Sequence, residues 1–175
     1  MHQTESFVRS IRELSLEVQE VDFGQRGYHA EILLTAGKLR DFARLLLEAE
    51  YFLVFVSAVH VAPAIELIYQ FAHYASRSRI VGRLPLGDDG VVPTIADIYH
   101  GANWHEREAK DFFGIVFRDH PNLEPLVLPE GSEDLKPLLK EENKLKSRQE
   151  VSWQPAEAEG EVETAGSTGS EKVET

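Results

Sequence analysis

The chain has 175 residues, no cysteine and a formal charge of −12, which suits one domain with a single substantial core plus a tail. The acidity argues against nucleic-acid binding, because phosphate neutralisation needs clustered Lys and Arg. The missing cysteine excludes disulfides, thiolate zinc sites and ordinary iron–sulfur ligation, and it fits a reducing cytoplasm.

The start, MHQTESFVRSIREL, lacks the apolar core of a signal peptide. Residues 4–14 read as a helix with Phe7, Ile11 and Leu14 on one side. Leu16-Glu17-Val18 begins a strand, Gly24-Gln25-Arg26-Gly27 is a turn, and Tyr28, Ala30, Ile32 and Leu34 alternate as a second strand. KLRDFARLLLEAEYF is an amphipathic helix with a stripe of Leu39, Phe42, Leu46 and Ala49. The most apolar window, YFLVFVSAVHVAPAI, is interrupted by His60 and Pro63 and falls short of the roughly 20 residues a spanning helix needs. No membrane crossing is expected. Within it FLVFVSAVHV is apolar on both faces, as in a central strand. Ile65, Leu67, Tyr69 and Phe71 alternate with Glu66 and Gln70 as a strand wet on one face, SRIVGRLPL closes the sheet, and Gly87–Gly90 turns out of it. The order α-β-β-α-β-β-β-α predicts an α+β fold, a mostly antiparallel sheet packed against helices, followed by an extended C-terminal segment. From Val151 the composition turns to Glu, Gly, Ser and Thr. That composition predicts a disordered acidic tail, the alternative being a docking arm anchored by Trp153.

Two helix starts precede the most unusual stretch, NWHEREAKDFFGIVFRDHP at 103–121. Thr94 with Asp97, preceded by Pro93, resembles a capping box, and Asn103 with Glu106 repeats it. The second helix is expected over 104–113, with Gly114 as its left-handed stop. At about 100° per residue, Trp104, Arg107, Glu108, Asp111 and Phe112 share one side, expected to be covered. Glu106 and Lys110 lie on the wetter flank as an ordinary i,i+4 surface pair. An arginine with two acids on a covered side implies full hydrogen bonding. It is either an internal network tying the helix to its own sheet or a polar seam against another protein.

Catalytic patterns are weaker. His105 and Glu108 form one i,i+3 pair, whereas a carboxylate-bridged dimetal site needs two such motifs. His100 and His105 are too far round a helix to share a metal, HEREA lacks the second histidine of HExxH, and no nucleotide-loop or nucleophile-elbow motif occurs. A free-standing enzyme would use Glu108 with His105 or His120 as acid and base. A generic acidic interaction module is a third class.

The same stretch resembles a known family. Glu106-Arg107-Glu108, then Asp111, Phe112, Phe113, Gly114 and Ile115, then His120-Pro121 and Leu123, is similar to the signature of the respiratory complex I 30 kDa subunit. That family includes counterparts in complex I-related membrane-bound [NiFe] hydrogenases. Pro93 to Ile98, Ala102 to Trp104, Leu128-Pro129-Glu130 and Lys136-Pro137-Leu138 carry it further, over roughly residues 5–148. Glu124-Pro125 stands where relatives usually have an Arg-Arg pair, and Leu139-Lys140-Glu141 where they have Arg-Lys-Asp. The resemblance implies residues 1–125 as the α+β domain, 126–150 as an extended segment wrapping a partner, and 151–175 as the tail. It implies a cofactor-free assembly subunit of a peripheral electron-transfer arm on the cytoplasmic face of the membrane. The expected partners are the large, hydrogenase-like 49 kDa-type subunit and small iron–sulfur subunits. Cofactors would sit there, as iron–sulfur clusters and, in hydrogenases, nickel–iron. It also favours the seam. The expected interface and signature residues are Trp104, Glu106, Arg107, Glu108, Asp111, Phe112, Phe113, Gly114, His120, Pro121, Leu123, Pro129, Pro137 and Lys140. The departures at 124, 125 and 139 favour a hydrogenase-type assembly over an NADH:quinone oxidoreductase, because they change the charge offered to the partner.

Overall fold

The computed structural model describes residues 9–87, 89–129, 131–132 and 134–151. The first residues of the expected N-terminal helix, Glu130 and the expected tail from residue 152, Trp153 included, lie outside the described residues. Residues 9–14 are helical (α1) and bury Ile11. There follow β1 (Glu17–Glu20), α2 (Phe23–Arg26), β2 (Ala30–Leu33), α3 (Leu39–Glu48), β3 (Phe52–His60), β4 (Ile65–His73) and β5 (Ser78–Pro85). Next come β6 (Val91–Pro93), α4 (Ala102–Phe113), β7 (Val116–Arg118) and α5 (Arg148–Val151). The expected turn at 24–27 is the single-turn α2: Asp22 accepts from the Gly24 N–H at 2.8 Å, and Gly27 ends it at φ 75°.

Five strands form one sheet in the order β1-β2-β5-β4-β3. Every pairing is antiparallel except β2 with β5, so the mostly antiparallel expectation holds. Two placements differ from the sequence reading. The strand expected to be central, β3, is an edge, and the strand expected to close the sheet, β5, sits in its middle. Apolar content on both faces does not require two strand neighbours. On β3, Val56 and Ala58 face the helix-covered core, α4 packs on the strand, and Val59 lines a cavity on the other side. A separate two-stranded parallel pair, β6 with β7, flanks α4.

One sheet face carries the core. From it Leu67, Tyr69 and Phe71 of β4 and Leu84 of β5 meet Leu39, Phe42 and Leu46 of α3, all 0% exposed. The α3 stripe is as expected, with Ala43 rather than Ala49 among the fully buried positions. Gly82 permits the close approach of α3, since a Cβ there would lie 3.1 Å from Leu34 Cδ1 and 3.2 Å from Phe42 Cε1.

Candidate functional site

The first expected helix start is a turn instead. Thr94 Oγ1 accepts from the Ala96 N–H at 3.0 Å, but Asp97 turns away to α3, where its carboxylate takes two Arg40 guanidinium N–H bonds at 2.7 Å. That pairing lowers the Asp97 pKa. Helix α4 begins at Ala102, with no side-chain cap at Gly101, so the Asn103–Glu106 box does not form. Glu106 instead reaches back to the turn: Oε1 accepts from the Ile95 N–H at 2.9 Å, and Oε2 accepts from the Thr94 hydroxyl. Gly114, at φ 76°, stops the helix as expected.

The covered side of α4 is the predicted one only in part: Asp111 is buried and Phe112 packs against the core, as expected. Ala102, Glu106, Ala109 and Phe113 face the core, with Glu106 0% exposed, whereas Trp104 is 64% exposed and Glu108 lies in solvent. The Glu106–Lys110 surface pair is therefore replaced by a buried carboxylate. The reason is steric: two alanines let the helix backbone approach β3 closely, while the larger Trp104 and Phe112 fit better at the margin. Trp104 lies beneath the Arg107 guanidinium, 6.0 Å from ring centroid to Cζ.

The remaining charges of α4 grip the main chain that follows β7. Lys110 Nζ donates to the Leu123 carbonyl, Arg107 Nε to that of Glu124 at 2.9 Å, and Arg107 Nη2 to that of Pro125 at 2.9 Å. Asp111 Oδ2 then accepts the N–H groups of Leu126 and Val127 at 2.8 Å and of Leu128 at 3.2 Å. Two cations thus hold three consecutive carbonyls, and one acid holds the next three amides. Pro125 loses nothing by lacking an N–H, because only its carbonyl is used. Burial acts to raise the Asp111 pKa, but the three amides outweigh it and leave the carboxyl below its ordinary value. Further along, the Leu138 N–H donates to the Phe112 carbonyl at 3.2 Å, and Lys136 crosses Gly114 so closely that a Cβ would lie 2.9 Å from its Cε. Arg107 and Asp111 thus bind the main chain of residues 124–128, rather than each other or the sheet.

His120 closes the site from below. Its Nε2 donates to the Asn103 carbonyl at 3.3 Å, and Nδ1 accepts from the Asn122 N–H at 3.0 Å. The side chain is 0% exposed and lies 3.8 Å from the equally buried Glu106 Oε2. Burial lowers the His120 pKa and pushes Glu106 up to about 7, against the opposing pull of the Ile95 N–H and the Thr94 hydroxyl. Tyr69, fully buried and near Glu106, also titrates well above its usual range. Glu108 is not brought to His120, so the acid–base pair considered from sequence does not assemble. Leu123 is half-buried against the core, while Pro121, Pro129, Pro137 and Lys140 are exposed. The Lys140 N–H donates to His60 Nδ1 at 3.0 Å. Among the described residues, no group of three or more His, Asp or Glu side chains could hold a metal, and no helix is long and apolar enough to cross a membrane.

The geometry has relatives. Similar proteins include the C subunit of the NADH-quinone oxidoreductase of Roseiflexus castenholzii, 39% identical over 72 residues, 41% of each protein. Its counterpart from Chlorobium phaeobacteroides is 50% identical over 46 residues, 26% of this chain and 28% of that one. These matches span about two fifths or less of the relatives' own length. Among solved structures, a protein of an archaeal respiratory membrane complex, the membrane-bound sulfane sulfur reductase, superposes with TM-score 0.63 at 27% identity, covering 77% of this chain and 82% of that one. The trypsin-resistant fragment of Nqo5 is covered completely by 70% of this chain, with TM-score 0.56 at 20% identity, which shows the shared fold. Residues 32–148 match the family described as "Respiratory-chain NADH dehydrogenase, 30 Kd subunit", and with its α4 signature in place the chain belongs to that family.

Proposed function

We propose that the chain is a cofactor-free structural subunit of a complex I-type oxidoreductase, and that the outer side of α4 with the clamped segment 123–128 is what it presents to the large subunit. One observation carries this reading. The clamp binds only main chain, and so spends no side chain of the segment it holds; Val127 stays 55% exposed and Trp104 64%. An exposed tryptophan and valine on a rigidly held, polar-rimmed surface suit the centre of a protein interface. The subunit would reach the cytoplasmic face of the membrane only through such partners, and iron–sulfur clusters would belong to them. The test is co-purification of a tagged chain after mild-detergent solubilisation. The tagged protein is expected to migrate with a large redox-active assembly, and Trp104→Ala with Val127→Asp is expected to fold but run alone. Equal yields of assembled variant and parent would overturn the surface.

A second reading concerns the branch. The Glu124 side chain is exposed, its carbonyl held by Arg107, so a negative charge is presented where relatives usually present arginines. Leu139 is 41% exposed and removes another cation. This favours a hydrogenase-type large subunit, whose complex would contain nickel and evolve hydrogen. A nickel-free complex blocked by quinone-site inhibitors would assign the quinone branch instead, and sulfane sulfur reduction, the activity of the archaeal complex, would displace both.

A further inference from the structure

The sheet face opposite the core carries a second organised charge cluster, remote from α4. Glu31 on β2, Arg83 on β5 and Glu66 on β4 lie across three neighbouring strands, with side chains only 13%, 17% and 11% exposed. Arg83 Nε lies 3.0 Å from Glu31 Oε2, and Arg83 Nη1 donates to Glu66 Oε2 at 3.5 Å. The Tyr28 hydroxyl donates to Glu31 Oε2 at 2.6 Å. Two carboxylates against one guanidinium leave an uncompensated negative charge in a poorly hydrated place. The missing positive charge comes from 117 residues further along the chain: Arg148 Nη2 donates to Glu31 Oε1, and Arg148 Nε lies 3.9 Å from Glu66 Oε2.

Bonds from main-chain N–H groups bring Arg148 there. The Lys140 N–H meets His60 Nδ1, the Ala62 N–H donates to the Lys146 carbonyl at 2.9 Å, and Ala62 pairs with Ser147 as a parallel bridge. Ser147 then starts α5, its N–H and hydroxyl both donating to Glu150 Oε2 at 2.7 Å. Residues 140–151 therefore form a strap over the β3–β4 turn onto the open face. Two cavities of about 380 and 280 Å³ lie beneath it and share Arg26, Tyr28, Arg83 and Arg148 as walls, with Val151 lining the smaller.

We propose that the open sheet face is the docking site of the chain's own C-terminal strap, and that Arg148 is a releasable electrostatic latch which holds the strap down by neutralising Glu31 and Glu66. The strap is held by the Arg148 ion pairs together with its main-chain contacts at His60 and Ala62. When it lifts, the cavities join and an acidic pair is uncovered. The proposal concerns the free protein and stands whether or not the α4 surface binds a large subunit.

The experiment is amide hydrogen exchange and limited trypsin digestion of the full-length protein, comparing parent, Arg148→Lys and Arg148→Ala. In Arg148→Ala the Ala62 amide and cleavage after Lys144 and Lys146 are expected to accelerate about tenfold, which corresponds to roughly 1.4 kcal/mol. Arg148→Lys should fall between, keeping the charge and losing the fork. Added KCl should speed Ala62 exchange in the parent and leave Arg148→Ala indifferent. An unchanged thermal midpoint shows that the domain itself stays folded. Parent-like exchange and cleavage in Arg148→Ala, or a salt response equal in both, would overturn the latch.

Discussion

Glu106 is where a single residue most clearly departs from ordinary behaviour. Its carboxyl titrates near 7 in the fold against 4.5 in the free side chain, with burial as the main cause. A raised native pKa means that the folded protein holds the proton more tightly than the unfolded one. The stability linked to that proton is complete below about pH 4.5 and is lost as the pH climbs through about 7. His120, with its pKa lowered, slopes the other way below its ordinary value, so the comparison must cancel it. The unfolding free energy of the parent minus that of Glu106→Gln should fall by about 3 kcal/mol between pH 4.5 and 7.5 in chemical denaturation. A flat difference would mean that Glu106 stays ionised throughout. Asp111 is the opposite case: its three amide bonds favour the charged form. Asp111→Ala leaves three amides without their acceptor and is expected to cost about 3 kcal/mol, read as a lower denaturation midpoint at pH 7.

Between elements, the clamp separates side-chain identity from backbone position. Glu124 offers its carbonyl to Arg107 while its exposed carboxylate accepts from Asn122 Nδ2 at 3.3 Å. Glu124→Arg should therefore change stability by less than about 0.5 kcal/mol while altering which large subunit is retained. Arg107→Ala should cost about 1–3 kcal/mol, since it frees two carbonyls that water can partly satisfy. The contact of α3 with β5 is less forgiving. Gly82→Ala forces a methyl against Leu34 and Phe42, and an over-packed core of this kind should lose about 1–3 kcal/mol in thermal or denaturant unfolding.

At the scale of the whole molecule, two separate charge systems lie on opposite sides of one core. The α4 clamp orders the segment leaving the domain, and the Arg148 cluster returns the end of that segment to the sheet. Much of this plan was legible in residues. The helices around Phe42 and Ala109, the strand alternations, the antiparallel character and the Gly114 stop all follow from local periodicity and backbone stereochemistry. The signature residues were legible as a set, but not their roles. The face of α4 was misread in part because aromatic bulk outweighed the two alanines, although close helix–sheet approach depends on small residues. Glu106 looked like half of a surface pair because no local pattern records that Thr94 and Ile95 fold back to meet it. Strand order was decided by the parallel pairing of Ala30–Leu33 with Ile80–Arg83, fifty residues apart, which no alternation of apolar side chains encodes. Amino-acid order by itself determined the longer helices and strands, because those choices rest on interactions within a turn or two, while the short elements α2, β6, β7 and α5 did not show in it. Only the tertiary structure decided which charges are buried and what they hold, because a carboxylate's environment is built from partners distant in the chain.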